Sequence, residues 1–263
     1  MKEETHLRGG GFFTSKVELS IIIPAYNEFS NFSGGKLDQV AEYLQSKNLD
    51  WEVIIVDDGS TDGSTEKIKA FIEGKSNWRL LSNQHQGKAM TVKAGVEAAL
   101  GKQVLLTDFD QATPIGEVEK LLPFIDKGYQ IVIGSREVKG SLRQQEPWYR
   151  HLMGKVFNAL VQIVAIRGIH DTQCGFKIFE TLVARDLFSR LVVYRPHPEK
   201  HAFTGAFDVE LLYLAYKQGL RIAEVPVHWY HAPTTRVNPL RDSVRMFLDV
   251  LKIRWADLSG QYR

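Results

Sequence analysis

The sequence predicts an α/β fold in which a mostly parallel sheet carries helices on both faces. Three observations predict it. Short apolar runs alternate with segments of helical period through the first half of the chain, the pattern of strand–helix–strand units. The runs are unbroken, as in strands buried on both faces. Polar clusters follow the runs, and ligands bind in such sheets beyond the carboxyl ends of the strands.

The elements read as follows. Residues 17–23 are a continuous apolar run stopped by Pro24, a first buried strand. Residues 37–47 carry Leu37, Val40, Ala41 and Leu44 at helical spacing. Residues 51–56 are a second strand ended by Asp57-Asp58-Gly59-Ser60, and Thr61 and Asp62 suit the cap of a helix over 63–72. A third strand covers 78–81, a helix 87–100 is stopped by Gly101, and a fourth strand, 104–107, runs into Asp108. A helix over 116–127 and a strand over 130–134 follow. The second half differs. Residues 148–167 form a long helix with His151, Lys155, Asn158 and Gln162 as one polar stripe in a wide apolar arc, and 207–218 form another helix. Leu240, Val244, Phe247, Leu248, Leu251, Trp255 and Leu258 make a last helical apolar face on a segment rich in Lys and Arg.

With 263 residues the chain is long enough for one large domain or two small ones, and 44% hydrophobic with 24% charged residues excludes a disordered chain. A net charge of +2 gives no argument for nucleic acid. Residues 1–16 are polar, lack the apolar core of a secretion signal, and are expected to be a flexible lead-in to a single domain over 17–263. No apolar stretch reaches the roughly 18 residues of a membrane span. The single cysteine, Cys174, cannot form an intrachain disulfide and fits a reducing compartment; a small buried residue is preferred for it over a nucleophile. The sequon Asn31-Phe32-Ser33 is read as chance.

Four polar clusters fall on one rim: Pro24 to Glu28, Asp57-Asp58, Asp108-Phe109-Asp110 and Gly134-Ser135-Arg136. Asp108 and Asp110, one residue apart at a strand end, can both reach one hard cation, Mg²⁺ or Mn²⁺, with a diphosphate and water completing its shell. A solvated turn explains such a triplet equally well in isolation; its place on the rim favours the metal. Asp57 suits a ribose hydroxyl or base N–H, with Asp58 as the helix cap. Tyr26 and Glu28 suit base stacking and ribose binding. Gly87-Lys88 opens a helix, where anions are favoured, although the spacing is not that of a P-loop. Arg136 and Arg150 are candidate anion clamps, with an ordinary surface arginine an equal reading for each.

Together the segments Ser20-Ile-Ile-Ile-Pro-Ala-Tyr-Asn-Glu28, Val53-Ile-Ile-Val-Asp-Asp-Gly-Ser-Thr-Asp62 and Asp108-Phe-Asp110 resemble the inverting family 2 glycosyltransferases. Gly134-Ser-Arg136, Asp171-Thr-Gln-Cys-Gly-Phe-Lys177 and Phe207-Asp-Val-Glu210 resemble the polyprenyl-phosphate hexosyltransferase branch, and the likeness runs over roughly residues 17–255. The resemblance implies a GT-A type Rossmann-like sheet, with a nucleotide-sugar half over 17–137 and an acceptor and membrane-interface half over 138–263 carrying amphipathic helices. Pro24, Tyr26, Glu28 and Asp57 would hold the nucleoside. Read from their places in the chain and not from the resemblance, Lys88 at its helix start and Arg236 before the last helix are candidates for the diphosphate. Asp108 and Asp110 would hold the metal. Arg136 and Arg150 would grip the lipid phosphate, and the 171–177 loop, with Gln173 and Lys177, would close over the acceptor. Asp110 is followed by Gln111-Ala112-Thr113, which looks more like the glucosyl than the mannosyl members and tilts the donor toward UDP-glucose.

The reaction this implies is direct displacement by a polyprenyl phosphate, already largely ionised at neutral pH because its second pKa is near about 6, so no general base is needed. A saccharide or protein hydroxyl as acceptor would need one, and Asp208 or Glu210 are the candidates, against a helix-start role for both. Transfer of mannose from GDP-mannose is a further alternative. A nucleotidyltransferase is disfavoured because no glycine-rich phosphate loop follows the first strand, and a non-catalytic binding module would show no metal-dependent turnover. The lipid acceptor places the enzyme at the cytoplasmic membrane face, for which the helices over 148–167 and from 240 onward are suited; burial against the sheet is the alternative for both, and explains the last helix at least as well, and a membrane-spanning partner is neither required nor excluded.

Overall fold

The computed structural model describes residues 16–144, 148–195, 205–231 and 239–262, with the side chains of 148–150 and 239–241 left out. In chain order the elements are β1 (Leu19–Ala25), α1 (Phe29–Ser33), α2 (Lys36–Gln45), β2 (Trp51–Asp57), α3 (Ser64–Ile72), β3 (Trp78–Ser82), α4 (Lys88–Ala98) and β4 (Gln103–Leu106). A 3-10 turn (Ile115–Glu117) leads into α5 (Val118–Asp126), then β5 (Ile131–Ser135), β6 (Leu142–Gln144), α6 (Trp148–Val164), β7 (Lys177–Glu180), α7 (Thr181–Ser189), α8 (Phe207–Lys217), β8 (Ile222–Pro226), β9 (His228–Tyr230) and α9 (Pro239–Leu258).

A seven-stranded sheet in the order β3-β2-β1-β4-β7-β5-β8 divides the core, and β6 pairs with β9 in a separate small sheet. The apolar runs are continuous because successive residues feed opposite faces. Ile22, Ile54, Val56, Val104 and Leu106 pack on one side against α4, α7, α8 and α9. Ile21, Ile23, Val53, Ile55 and Leu105 pack on the other against α2, α3 and α5. Helix α4 lies so close to the sheet that a Cβ on Gly95 would stand 2.4 Å from Ile22 Cγ2. Pro24 does not stop the first strand, which runs on to Ala25. The pairing with β4 ends at Ile22 while that with β2 continues, so proline's missing N–H faces a side with no ladder to lose.

The expected sheet is corrected in its second half. β7 runs antiparallel to both neighbours, β4 and β5, in the middle of the sheet. The chain, after crossing in α6, enters this gap from the opposite end. The small β6–β9 sheet lies outside the main one, so a single Rossmann-like unit does not describe the architecture. The long helix expected to Arg167 ends at Val164. Among the described residues no helix is long and apolar enough to cross a membrane.

Candidate active site

The carboxyl ends of β1, β2 and β4 converge, and hydrogen bonds between their loops fix them. Asn27 adopts a left-handed backbone with φ 54°, which asparagine tolerates. Its N–H donates to Ser60 Oγ (2.9 Å), and its side-chain oxygen accepts from Thr61 N–H (2.8 Å). Asp57 accepts from Thr65 Oγ1 (2.8 Å) and from Ser60 N–H (3.3 Å), so the residue expected at the ribose also closes the turn into α3. Asp58, expected as the cap, instead ties down the loop after β3: its carboxylate accepts from the N–H groups of Gln86 (3.0 Å) and Gly87 (2.9 Å) and contacts His85 Nδ1 (2.7 Å). The Tyr26 ring stacks on His85, with centroids 4.1 Å apart and planes 8° from parallel. Glu28 Oε2 accepts from Asn31 Nδ2 (2.6 Å).

At the end of β4 the chain folds back through Gln111, whose φ is 51°. Its N–H and its Nε2 both donate to the carbonyl of Asp108, at 3.2 and 2.8 Å. Gln111 Oε1 is shielded and has no partner among the described residues. Lys88, first residue of α4, places its ammonium 2.5 Å from Asp108 Oδ1. Burial acts to lower the Lys88 ammonium, but the carboxylates of Asp108, Asp208 and Asp110 outweigh it and hold the group above its ordinary value. Burial acts to raise Asp108, but Lys88 and then Lys177 and Arg136 hold it below the usual carboxylate range. Asp110 goes the other way: burial, then Asp108 and Glu28, push it up to about 6. Asp108 and Asp110 are the carboxylates that would hold a divalent metal ion, which would have to displace the Lys88 ammonium from Asp108 Oδ1. Among the described residues no group of three or more His, Cys, Asp or Glu is placed to hold a metal ion by itself.

The loop before β7 packs directly on this centre. A Cβ on Gly175 would lie 2.2 Å from Asp108 Oδ2. The loop is anchored at its start by Asp171, which is fully buried and takes Arg136 Nε (2.7 Å), Nη2 (2.8 Å) and backbone N–H (2.9 Å). Burial alone would raise Asp171, but Arg136 brings it down to about 2. Arg136 therefore holds the loop; its Nε, Nη2 and backbone nitrogen are all committed to that task. Lys177, 1% exposed, donates to Asp208 Oδ1 (2.6 Å) and to the Cys174 carbonyl. Glu210 is fully buried and accepts from the N–H groups of Val192 (2.7 Å), Val193 (2.9 Å) and Tyr194 (3.1 Å) and from the Tyr262 hydroxyl (2.6 Å). Gln173 Nε2 and Thr172 Oγ1 are shielded with no partner among the described residues. Cys174 is buried, and burial pushes its thiol up, away from nucleophilic use.

Around Asp108, Asp110 and Lys88 the structure thus gathers charges that act on them: Asp208 on Lys88, Lys177 and Arg136 on Asp108, and Glu28 on Asp110. Arg236 lies outside the described residues, and Arg150 is placed only by its backbone in α6. The sequence reading missed His85, Arg143 and Trp229. Arg136 and Arg143 both lie over the Trp229 ring, at 5.3 and 6.0 Å, and Arg143 also donates to Glu137 Oε1 (2.5 Å). Nothing local marks His85 and Trp229, because their partners are distant in sequence.

Comparison with known proteins follows the same lines. The family model described as glycosyl transferase family 2 matches residues 20–188. A dolichyl-phosphate beta-glucosyltransferase of Dictyostelium discoideum is 36% identical over 261 residues, covering 94% of this chain and 77% of that protein. The human protein of the same name is 32% identical over 266 residues, covering 94% and 78%. Among solved structures, glucosyl-3-phosphoglycerate synthase from Mycobacterium tuberculosis, in complex with Mn²⁺, UDP-glucose and glycerol 3-phosphate, superposes with a TM-score of 0.62 at 18% identity, over 91% of this chain and 80% of that one. Staphylococcus aureus TarS, in complex with UDP-GlcNAc, superposes with a TM-score of 0.58 at 17% identity, over 93% and 67%. The expected fold class, a GT-A type Rossmann-like, mostly parallel sheet, is corrected accordingly. The chain shares its fold with these two solved structures; its own main sheet has an antiparallel strand at its centre, and a second small sheet lies beside it.

Proposed function

The chain belongs to glycosyl transferase family 2, and on that premise we propose that it transfers a hexose, glucose in preference, from a nucleoside diphosphate sugar to a dolichyl-type polyprenyl phosphate. The names of its relatives support the sugar and the acceptor. One observation in the structure carries the choice of acceptor. A hydroxyl acceptor needs a general base, and both candidates are committed elsewhere: Asp208 to the buried Lys177, Glu210 to three backbone N–H groups and a tyrosine. A phosphate monoester brings its own negative oxygen and needs only to be held in line.

In this reading Tyr26, Glu28 and Asp57 line the nucleoside end, with Pro24 shaping the loop. Asp108 and Asp110 hold Mg²⁺ or Mn²⁺, which when bound acts as a Lewis acid toward the leaving diphosphate. Lys88 supplies a point charge beside it. An acceptor phosphate oxygen attacks the anomeric carbon from the opposite face. The bond from that carbon to the diphosphate breaks, its electron pair leaves with the diphosphate, and the configuration inverts. Gln173 and the 171–177 loop, fixed by Arg136 on Asp171, close the acceptor side, where Arg150 is the second candidate clamp. Helices α6 and α9 rest on the cytoplasmic face of the membrane that holds the lipid tail.

The test is incubation with UDP-glucose, Mn²⁺ or Mg²⁺ and a polyprenyl phosphate, with GDP-mannose and saccharide acceptors in parallel. A metal-dependent, organic-extractable glucolipid is expected. No lipid product from any common sugar nucleotide, or transfer to a saccharide hydroxyl instead, would overturn the reading.

A further inference from the structure

Lys88 meets Asp108 at the oxygen proposed for the metal. Its ammonium lies 2.5 Å from Asp108 Oδ1. The other carboxylate oxygen, Oδ2, lies against Gly175, where an added Cβ would stand 2.2 Å away. The turn after β4 steadies the second carboxylate: Asp110 Oδ1 accepts from the Ala112 N–H at 2.9 Å. Two acidic side chains set by their own backbone are the donors a hard cation takes, and the ammonium competes for one of them. A ligand can reach this contact from solvent, because the Lys88 side chain is 24% exposed and that of Asp108 37%.

An ammonium and a divalent cation do not share one carboxylate oxygen. Both are drawn to the same lone pairs, and at that separation they repel each other. Nor does Lys88 leave for water without loss, because Asp208 and Asp110 act on it together with Asp108. It leaves readily only for another anion. Its flexible four-carbon stem carries a compact charge that swings without moving α4, and the donor's diphosphate brings oxygens that receive it. We infer that Lys88 is an exchange residue: its ammonium keeps a lone metal ion off Asp108, and passes to the donor's diphosphate when nucleotide and metal bind together. Metal and nucleotide binding are then coupled through one side chain, each raising the affinity of the other by the same factor. The inference rests on Asp108 and Asp110 holding the metal, as proposed above.

Mn²⁺ binding to the whole chain, read from the loss of the free-ion electron paramagnetic resonance signal, tests it with and without saturating UDP. Lys88→Met keeps a long side chain and removes the charge; Lys88→Gln serves if methionine disturbs the fold, and thermal melting checks both. Wild-type protein should bind Mn²⁺ at least about tenfold more tightly with UDP than without. In the absence of nucleotide each variant should bind Mn²⁺ at least about tenfold more tightly than wild type, the effect of removing a like charge at close range. UDP should then raise that affinity by a factor at least about tenfold smaller than in wild type. Lys93→Met removes the same charge from the same helix, where it faces Glu97, and should stay within about threefold of wild type. Adding Asp110→Asn to Lys88→Met should abolish the gain. A nucleotide-free affinity that is unchanged or lower in the Lys88 variants, an equal gain in Lys93→Met, or a gain that survives Asp110→Asn would overturn the inference. Absence of Mn²⁺ binding even with UDP would overturn the proposed metal centre as well, whereas tight binding with UDP and equal nucleotide-free affinities would count against Lys88 alone.

Discussion

Asp108 and Asp110 stand one residue apart and their pKa values are shifted in opposite directions. Lys88 keeps the first ionised, while burial and the neighbouring Asp108 push the second up to about 6. Because a metal ion takes the carboxylate and not the acid, the proton competes with it. Mn²⁺ affinity should therefore be flat above pH about 6 and fall toward tenfold per unit below it, measured by calorimetry from pH 5 to 7.5, and Asp110→Asn should remove most of the affinity together with that slope. In the metal-free protein the sign for stability is the reverse. The raised Asp110 contributes stability that is full below its unfolded value and lost as pH rises through about 6. Asp171, brought down to about 2 with Arg136 as the chief opponent of its burial, contributes stability present above its unfolded value and lost only as pH falls through about 2. Gly175 offers a second test at this scale. A methyl group there would lie 2.2 Å from Asp108 Oδ2, so Gly175→Ala must displace either the carboxylate or the loop. Turnover should fall at least ~100-fold, an amount typical of a misplaced catalytic geometry, while melting shows the fold retained.

Among the elements, α8 is held by a carboxylate that the sequence offers as a catalytic base. Glu210 closes three backbone N–H groups of the segment after α7 and the hydroxyl of Tyr262. Glu210→Ala would leave those donors buried without a partner, a loss of about 3 kcal/mol. Tm should drop by roughly 6–12 °C, with UDP binding at low temperature largely kept; a variant that is stable yet inactive would make Glu210 catalytic after all. The same contrast shows what could be read from the chain. β1, β2 and β4 were legible because strands buried on both faces are written as unbroken apolar runs, and the acidic and basic residues at their ends stand beside them in sequence. β6 and β9 span three residues each and carry no period. β7 opens on Lys177, which the resemblance places on the acceptor loop, and its buried partner Asp208 stands 31 positions away. The antiparallel entry of β7, the stack of Tyr26 on His85 and the pairing of Arg136 with Asp171 all depend on contacts between distant segments, which no local pattern records.

At the scale of the whole molecule, α9 has two apolar faces and only one of them is used by the core. Val250, Ile253 and Ala256 are buried. Val244, Leu248, Leu251, Trp255 and Leu258 repeat at helical spacing on the other side and are 54%, 49%, 41%, 71% and 67% exposed. Lys252 and Arg254 lie beside that stripe, and α6, which packs on α9, exposes Leu152, Val156 and Ile163. An amphipathic helix with an apolar outer face flanked by cations is suited to the headgroup boundary of an anionic bilayer, where apolar burial and charge attraction add. An acceptor whose hydrocarbon tail stays in the membrane needs the enzyme there. The joint replacement Leu248→Ser, Leu251→Ser and Trp255→Ser should then weaken sedimentation with phosphatidylserine-containing vesicles by at least tenfold, since each side chain lost removes of the order of 1 kcal/mol of insertion. Tm should move little, because surface substitutions away from packed features stay within about 0.5 kcal/mol. Turnover should fall with long-chain polyprenyl phosphate in vesicles and hold with a short-chain, water-dispersed analogue. Equal vesicle binding by the triple variant and the wild type would remove α9 from the membrane contact, and a fall in Tm would assign its outer face to the fold instead.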